Sequence, residues 1–248
     1  MRLLHINTGF GQGGAALLMQ LLAENTEKLG VENGFVLRSS KNFAKTNIFL
    51  IDDEFDKKPF PGYRKITRIL NEHGFLYFFM PVEVKKIIQA VTNFHPDIIH
   101  LHNTHGGYFQ TNLIKKLVKI APVVWTFHDM FPFTGHCAYS FECEKWKTGC
   151  GNCKNLDIYP AIKKDRTAFL WRYKKAIHWD IDFTIVVPSL WLKKCVEQSF
   201  LKEKRIELIY NGIDLKKFYK RDKNESRKTC ELPLDKKIIL FSANGGVK

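Results

Sequence analysis

Cys137, Cys143, Cys150 and Cys153 crowd into one short stretch with the spacing C-x5-C-x6-C-x2-C. Cys150-Gly151-Asn152-Cys153 has the shape of a metal knuckle, its small turn residues letting two thiolates face one ion. Four thiolates satisfy a tetrahedral, closed, structural zinc site, and His136 is an adjacent alternative ligand. An iron–sulfur cluster uses the same ligand type, but the spacing matches neither ferredoxin pattern. Free thiols are the alternative to zinc. Cys195 and Cys230 lie apart from the cluster and read as ordinary residues.

Phosphate chemistry is suggested near the N-terminus. In Gly9-Phe10-Gly11-Gln12-Gly13-Gly14, the glycines Gly9, Gly11 and Gly14 satisfy G-x-G-x-x-G between a strand pattern and a helix pattern. Glycines let the backbone approach a phosphate, and the helix N-terminus supplies N–H donors and the positive dipole end. A dinucleotide fold also places a carboxylate at the end of its second strand. Here that place reads Leu37-Arg38-Ser39-Ser40, so an NADP enzyme, with Arg38 on a 2′-phosphate, stays open.

Two polar clusters follow apolar runs: His102-Asn103-Thr104-His105-Gly106-Gly107, and His128-Asp129. Ligands of open α/β sheets bind beyond the carboxyl ends of strands. His128 is therefore a candidate for binding a hydroxyl or handling a proton. The alternative is a histidine that fixes local structure through Asp129. No Ser-His-Asp order, HExxH motif or P-loop lysine is present.

Short β-type runs alternating with helical patterns must hold these residues, and that alternation predicts a Rossmann-like α/β fold with a mainly parallel sheet. Strands are expected at Arg2–Asn7, Phe35–Leu37, Ile48–Ile51, Asp97–Leu101, Val123–Phe127, Phe183–Val187 and Ile206–Tyr210. Helical spacing marks Ala15–Leu29, Thr111–Ile120 and Trp191–Gln198. A polar, charged linker follows, and Lys237–Phe241 (KIILF) reads as one more strand that opens a second domain or joins the first sheet.

The chain carries 39 Lys and Arg against 25 Asp and Glu, a net charge of +14. That surplus suits nucleic acid, an anionic membrane surface or phosphorylated substrates. Between Tyr63 and Ala90, Arg64, Lys65, Arg68, Lys85 and Lys86 accompany Phe75, Leu76, Tyr77, Phe78 and Phe79, a mixture that fits interfacial membrane contact or two ordinary helices with core aromatics. The N-terminus lacks a signal-type apolar run, and Phe75–Val82 is too short to span a bilayer. A cytoplasmic location is expected, where disulfides are disfavoured.

The run TFHDMFPFTGHCAYSFECEKWKTGCGNC, from Thr126 to Cys153, closely resembles a segment of colanic-acid-type enzymes in glycosyltransferase family 4. INTGFGQGGAALLMQLLAE, DIIHLHNTHGGYF, VVPSLWLKKCVEQSF and IELIYNGIDLKKF resemble the same group. The resemblance implies a GT-B architecture, retention of anomeric configuration, a UDP- or GDP-linked sugar donor and no catalytic metal. It implies a surface-polysaccharide product and a lipid-linked saccharide acceptor at the inner membrane face. It places Gly13 and Gly14 towards the donor phosphates and His128 on the transferred sugar. His102, Asn103, Asp129, Asn211 and Gly212 are then acceptor-side or cleft residues.

The expected organisation is an acceptor-side domain over residues 1–214 with a cysteine-rich insertion at 136–153, a linker over 215–235, and the start of a donor domain over 236–248. The family's basic residues and paired glutamates of the donor domain have no counterpart, so the fragment alone is expected to be inactive. Two other classes remain open: a zinc-stabilised nucleic-acid-binding protein, which the scattered basic residues disfavour, and the NADP oxidoreductase.

Overall fold

The β-branched and leucine-rich runs pair into a single parallel sheet. A computed structural model describes residues 1–11, 13–39, 47–51 and 61–240. The strands are β1 (Arg2–Asn7), β2 (Glu32–Leu37), β3 (Ile48–Leu50), β4 (Ile98–Leu101), β5 (Val123–Thr126), β6 (Thr184–Val187) and β7 (Ile206–Leu208). Their order is β3-β2-β1-β4-β5-β6-β7, all parallel. The direction of winding reverses between β1 and β4, and in such sheets the crevice opens beyond the carboxyl ends at that switch point.

The helices are α1 (Gly14–Glu27), α2 (Tyr63–Glu72), α3 (Pro81–Phe94), α4 (Ile114–Leu117), α5 (Thr167–Trp179), α6 (Leu190–Glu197) and α7 (Lys223–Thr229). Alternation along β1 divides its side chains between two layers. Leu4 and Ile6 join the main core with Ile87, Val91 and Phe94 of α3. On the other face, Phe35 and Leu37 pack with Met19 and Ala23 of α1. Parallel sheets covered on both faces bury their strands in this way.

Several boundaries differ from the sequence expectation. Thr111–Ile120 forms a 3-10 turn, Thr111–Leu113, and then the four-residue α4. Helix α5 was not anticipated. Its buried residues Thr167, Leu170, Trp171, Lys174, Ile177 and His178 keep helical spacing, but three of them are polar and blur the apolar stripe.

The chain divides into two compact units, Met1–Tyr210 and Asn211–Lys248. In the second, Asp222 caps α7 by accepting from the Asn224 and Glu225 backbone N–H groups, so the segment read as linker contains a short helix. The strand expected at Lys237–Phe241 does not form over residues 237–240, where Ile239 is 96% and Leu240 89% exposed. An isolated strand has no partner for its backbone groups. Phe241 and the glycine turn after it lie outside the described residues.

Candidate active site at the strand ends

At the β1/β4 switch point a pocket of about 370 Å³ is lined by Asn7, Thr8, Gly9, Phe10, Gly13, Gly14, Ala15, Ala16, Ser39, Asn103 and His105. Its wall is fixed by short polar ties. Asn7 receives the Asn103 backbone N–H on its side-chain oxygen at 3.2 Å and donates to the Gly9 carbonyl at 2.9 Å. The Thr8 hydroxyl donates to the His105 carbonyl at 2.9 Å, and Tyr108 donates to the Asn103 carbonyl at 2.6 Å.

Gly13 is the N-cap of α1, with φ 84° and ψ 158°. That backbone region is essentially reserved for glycine. No side chain caps the helix, so the first-turn N–H groups, which an α-helix leaves unpaired, face the pocket. The positive end of the helix dipole adds to them, and the arrangement suits an anion. Among the described residues the lining contains no lysine or arginine. Arg38, the candidate for a 2′-phosphate, donates instead to the Gly106 carbonyl.

Behind this pocket lies a row of histidines. His5 on β1 stands beside His100 on β4 in the sheet register, and His102 follows one residue past the strand end. The side-chain oxygen of Asn33 lies 3.1 Å from His5 Nε2. His5 Nδ1 is 3.3 Å from His102 Nε2, and His102 Nδ1 is 3.2 Å from His128 Nε2. His100 Nε2 meets the Thr126 hydroxyl at 2.8 Å. Burial holds His5 and His128 down to about 4 and His100 and His102 well below the ordinary imidazole value. The row is therefore neutral at pH 7. Among the described residues, His5, His100 and His102 also form a trio with ligand atoms all within 4.8 Å of one another.

His102 lines the inner end of the recess that contains His128, is 2% exposed and has its ring between His5 and His128. Asp129 does not fix His128. Its Oδ2 meets His105 Nε2 at 2.8 Å while its Oδ1 accepts the Phe131 N–H at 2.9 Å. Tyr159 completes this group through its hydroxyl, 3.1 Å from His105 Nδ1. Asn103 and His105 line both the phosphate-type pocket and the recess that contains His128. Asn211 and Gly212 are exposed and begin the second unit. His5 and Asn33 escaped the sequence reading, and His105 was named there only as a member of a polar cluster. The signal for His5 was a histidine at an inward position of an otherwise apolar strand, Leu3-Leu4-His5-Ile6.

The four cysteines line a second cavity of about 380 Å³ together with His136. Cys153 Sγ lies 3.7 Å from His136 Nε2, and the Gly135 N–H points to Cys150 Sγ at 3.3 Å. Burial pushes the Cys150 thiol up to about 12 and raises that of Cys137. The donor set suits zinc, but no three of its ligand atoms are within 4.8 Å of one another among the described residues, so closing on an ion requires the loop to draw inward. Lys174 is buried beside this loop, donating to the Phe131 and Thr134 carbonyls at 2.6 and 3.1 Å.

The aromatic segment between α2 and α3 is mixed. Leu76, Tyr77 and Met80 join a core cluster with Phe131, Ile162 and Leu170. Phe78, Phe79 and the α2 residues Ile66 and Ile69 remain exposed. No helix among the described residues is long and apolar enough to cross a membrane.

A family model described as Glycosyltransferase Family 4 matches residues 12–217, which include α1 of the phosphate-type pocket and the whole histidine row except His5. The chain belongs to glycosyltransferase family 4. A relative in Escherichia coli K12 that bears the name of a colanic acid biosynthesis glycosyl transferase, WcaC, is 26% identical over 229 residues, covering 87% of this chain and 55% of that protein. Sucrose-phosphate synthase from Thermosynechococcus elongatus superimposes with a TM-score of 0.57 at 15% identity, over 94% of this chain and 53% of that one. Anabaena HepE, solved in complex with UDP-glucose, gives a TM-score of 0.48 at 15% identity, over 93% and 49%. The family 4 chain described here thus spans about half the length of these relatives. The fold of the first unit is the Rossmann-like α/β arrangement found in GT-B glycosyltransferases.

Proposed function

We propose that this chain provides the acceptor-side half of a retaining, hexosyl-type glycosyltransferase that moves a sugar from a UDP- or GDP-linked donor onto a growing surface polysaccharide. The observation that carries this is the open α1 N-terminus at the β1/β4 switch point, adjoining the recess that contains His128. The N–H groups meet the donor diphosphate, and His128 meets the transferred sugar. The departing diphosphate needs fixed donors or cations as its charge develops. The pocket's own lining offers N–H groups without a cationic side chain, so transfer requires cations from beyond it, and the chain alone binds donor but turns it over poorly. The acceptor is a lipid-linked saccharide, approached from the face where Phe78, Phe79, Ile66 and Ile69 are exposed next to Arg64, Lys65 and Arg68. The cysteine-lined cavity is a structural zinc site held by Cys137, Cys143, Cys150 and Cys153, and the transfer itself uses no metal.

Calorimetric titration with UDP-glucose and GDP-glucose tests the central part. Saturable binding is expected for one of them, and Gly14→Asp should abolish it by putting a carboxylate at the helix N-terminus. A folded wild-type chain that binds no nucleotide sugar at all overturns the reading.

A further inference from the structure

Two buried histidines, a half-buried third and an asparagine form one directional hydrogen-bonded row, and its polarity is set at the end farthest from the pocket. The Asn33 amide nitrogen lies 3.2 Å from the Ala23 carbonyl and 3.3 Å from the Val31 carbonyl. Carbonyl oxygens only accept, so this nitrogen must face them. The Asn33 oxygen must then face His5 Nε2, 3.1 Å away. An amide oxygen is likewise an acceptor only. His5 therefore has its proton on Nε2.

A neutral imidazole carries one N–H, so its other nitrogen accepts. His5 Nδ1 is bare and takes its hydrogen from His102 Nε2 across 3.3 Å. His102 Nδ1 is then bare in turn and takes its hydrogen from His128 Nε2 across 3.2 Å. Each ring imposes the same tautomer on the next. The row ends at His128, which is half-buried, whereas His5 and His102 are sealed from solvent.

We propose that Asn33, His5 and His102 are positioning residues that lock His128 in its Nε2–H tautomer, so that His128 presents Nδ1 to the donor sugar as a hydrogen-bond acceptor. This rests on the proposed transferase function only in naming the sugar; the tautomer assignment stands on the distances and on the burial that keeps the rings uncharged. His128 thereby reads a hydroxyl, which can donate, and discriminates against a substituent that can only accept. The order of the fold makes this arrangement: Asn33 is the second residue of β2, His5 lies on β1, His102 follows β4 and His128 follows β5, so the row crosses four neighbouring strands of the sheet.

Long-range proton–nitrogen correlation spectra of the ¹⁵N-labelled 248-residue chain, with histidine signals assigned by substitution, provide the test. The expected result is that His5, His102 and His128 each carry hydrogen on Nε2, and that Asn33→Leu makes His128 average between tautomers. A His128 protonated on Nδ1 in the wild-type chain overturns the proposal. So does an Asn33→Leu protein that stays folded and keeps His128 wholly in the Nε2–H form, since Asn33 is then merely structural. Loss of the hydrogen on His102 Nε2 upon adding zinc chloride, with metal bound at the already bare His5 Nδ1, also overturns it, because the trio is then a metal site. Adding UDP-glucose or GDP-glucose should shift the His128 Nδ1 signal. The expected tautomers without any response to nucleotide sugar leave the row standing and overturn the transferase reading of the pocket instead.

Discussion

His105 Nε2 and Asp129 Oδ2 meet at 2.8 Å, joining the loop after β4 to the loop after β5 at the mouth of the site. The same carboxylate accepts the Phe131 N–H, and the other nitrogen of His105 meets the Tyr159 hydroxyl. Asp129 therefore ties three backbone segments together while His128, its neighbour in sequence, is left to the histidine row.

Replacing Asp129 by Ala leaves the His105 ring nitrogen and the Phe131 N–H without their acceptor. Stability should fall by about 2 kcal/mol, the usual cost of stranding partly buried donors. Urea unfolding of wild-type and Asp129→Ala chains measures this. A change within a few tenths of a kcal/mol means the tie contributes nothing.

The two glycines at the head of α1 should behave differently. Gly13 has φ 84°, so Gly13→Ala strains the backbone even though a Cβ would meet nothing within 4 Å. A loss of roughly 1–3 kcal/mol is expected. Gly14 is helical, and its Cβ would also stand in open space, so Gly14→Ala should leave the melting temperature unchanged or slightly raised. The methyl narrows the pocket mouth, and nucleotide-sugar affinity should drop about tenfold, or ~1.4 kcal/mol. Equal effects of the two substitutions on stability would contradict this account of the loop.

Acid should unfold the protein through its buried histidines. Desolvation lowers His5 and His128 from 6.5 to about 4 and His178 to about 3. An unfolded chain therefore takes up protons before the folded one does, and the stability these groups contribute is complete above pH 6.5 and is lost as pH falls towards 4. His5 alone accounts for roughly 3 kcal/mol of that loss. His178 has neither ring nitrogen hydrogen-bonded and packs edge-on against Trp125. His178→Phe should raise the melting temperature, and more at pH 5 than at pH 7.5. Denaturation midpoints that stay flat between pH 7 and pH 4.5 would falsify the burial argument.

Zinc at the cysteine cavity should be detectable without any activity. Metal analysis of the chain purified without chelator is expected to give one zinc per molecule, and removal by a strong chelator should lower the melting temperature by several degrees. Binding of a structural ion to the native state alone adds directly to stability. Cys150→Ser should reduce both the zinc content and the response to chelator. A metal-free chain that melts at the same temperature with and without added zinc assigns the four cysteines to ordinary thiols.

Composition and local pattern determined much of this protein. The alternation of short apolar runs with helical spacing was enough to place the seven strands of the sheet to within a few residues, because pairing in a doubly covered parallel sheet demands continuous apolar segments at those places. The glycine loop was legible because few residues tolerate the backbone angles that Gly13 adopts. Local pattern misled where burial is polar, as in α5 with Lys174 and His178 on its inner face, and where no partner exists, as at Lys237–Leu240. The histidine row was decided only in three dimensions. Asn33, His5, His102 and His128 are far apart in the chain, and nothing in their spacing says which strands are neighbours. The strand order makes them contiguous, and close packing excludes the water that would otherwise satisfy each ring, so each imidazole must take its partner, and its tautomer, from the next.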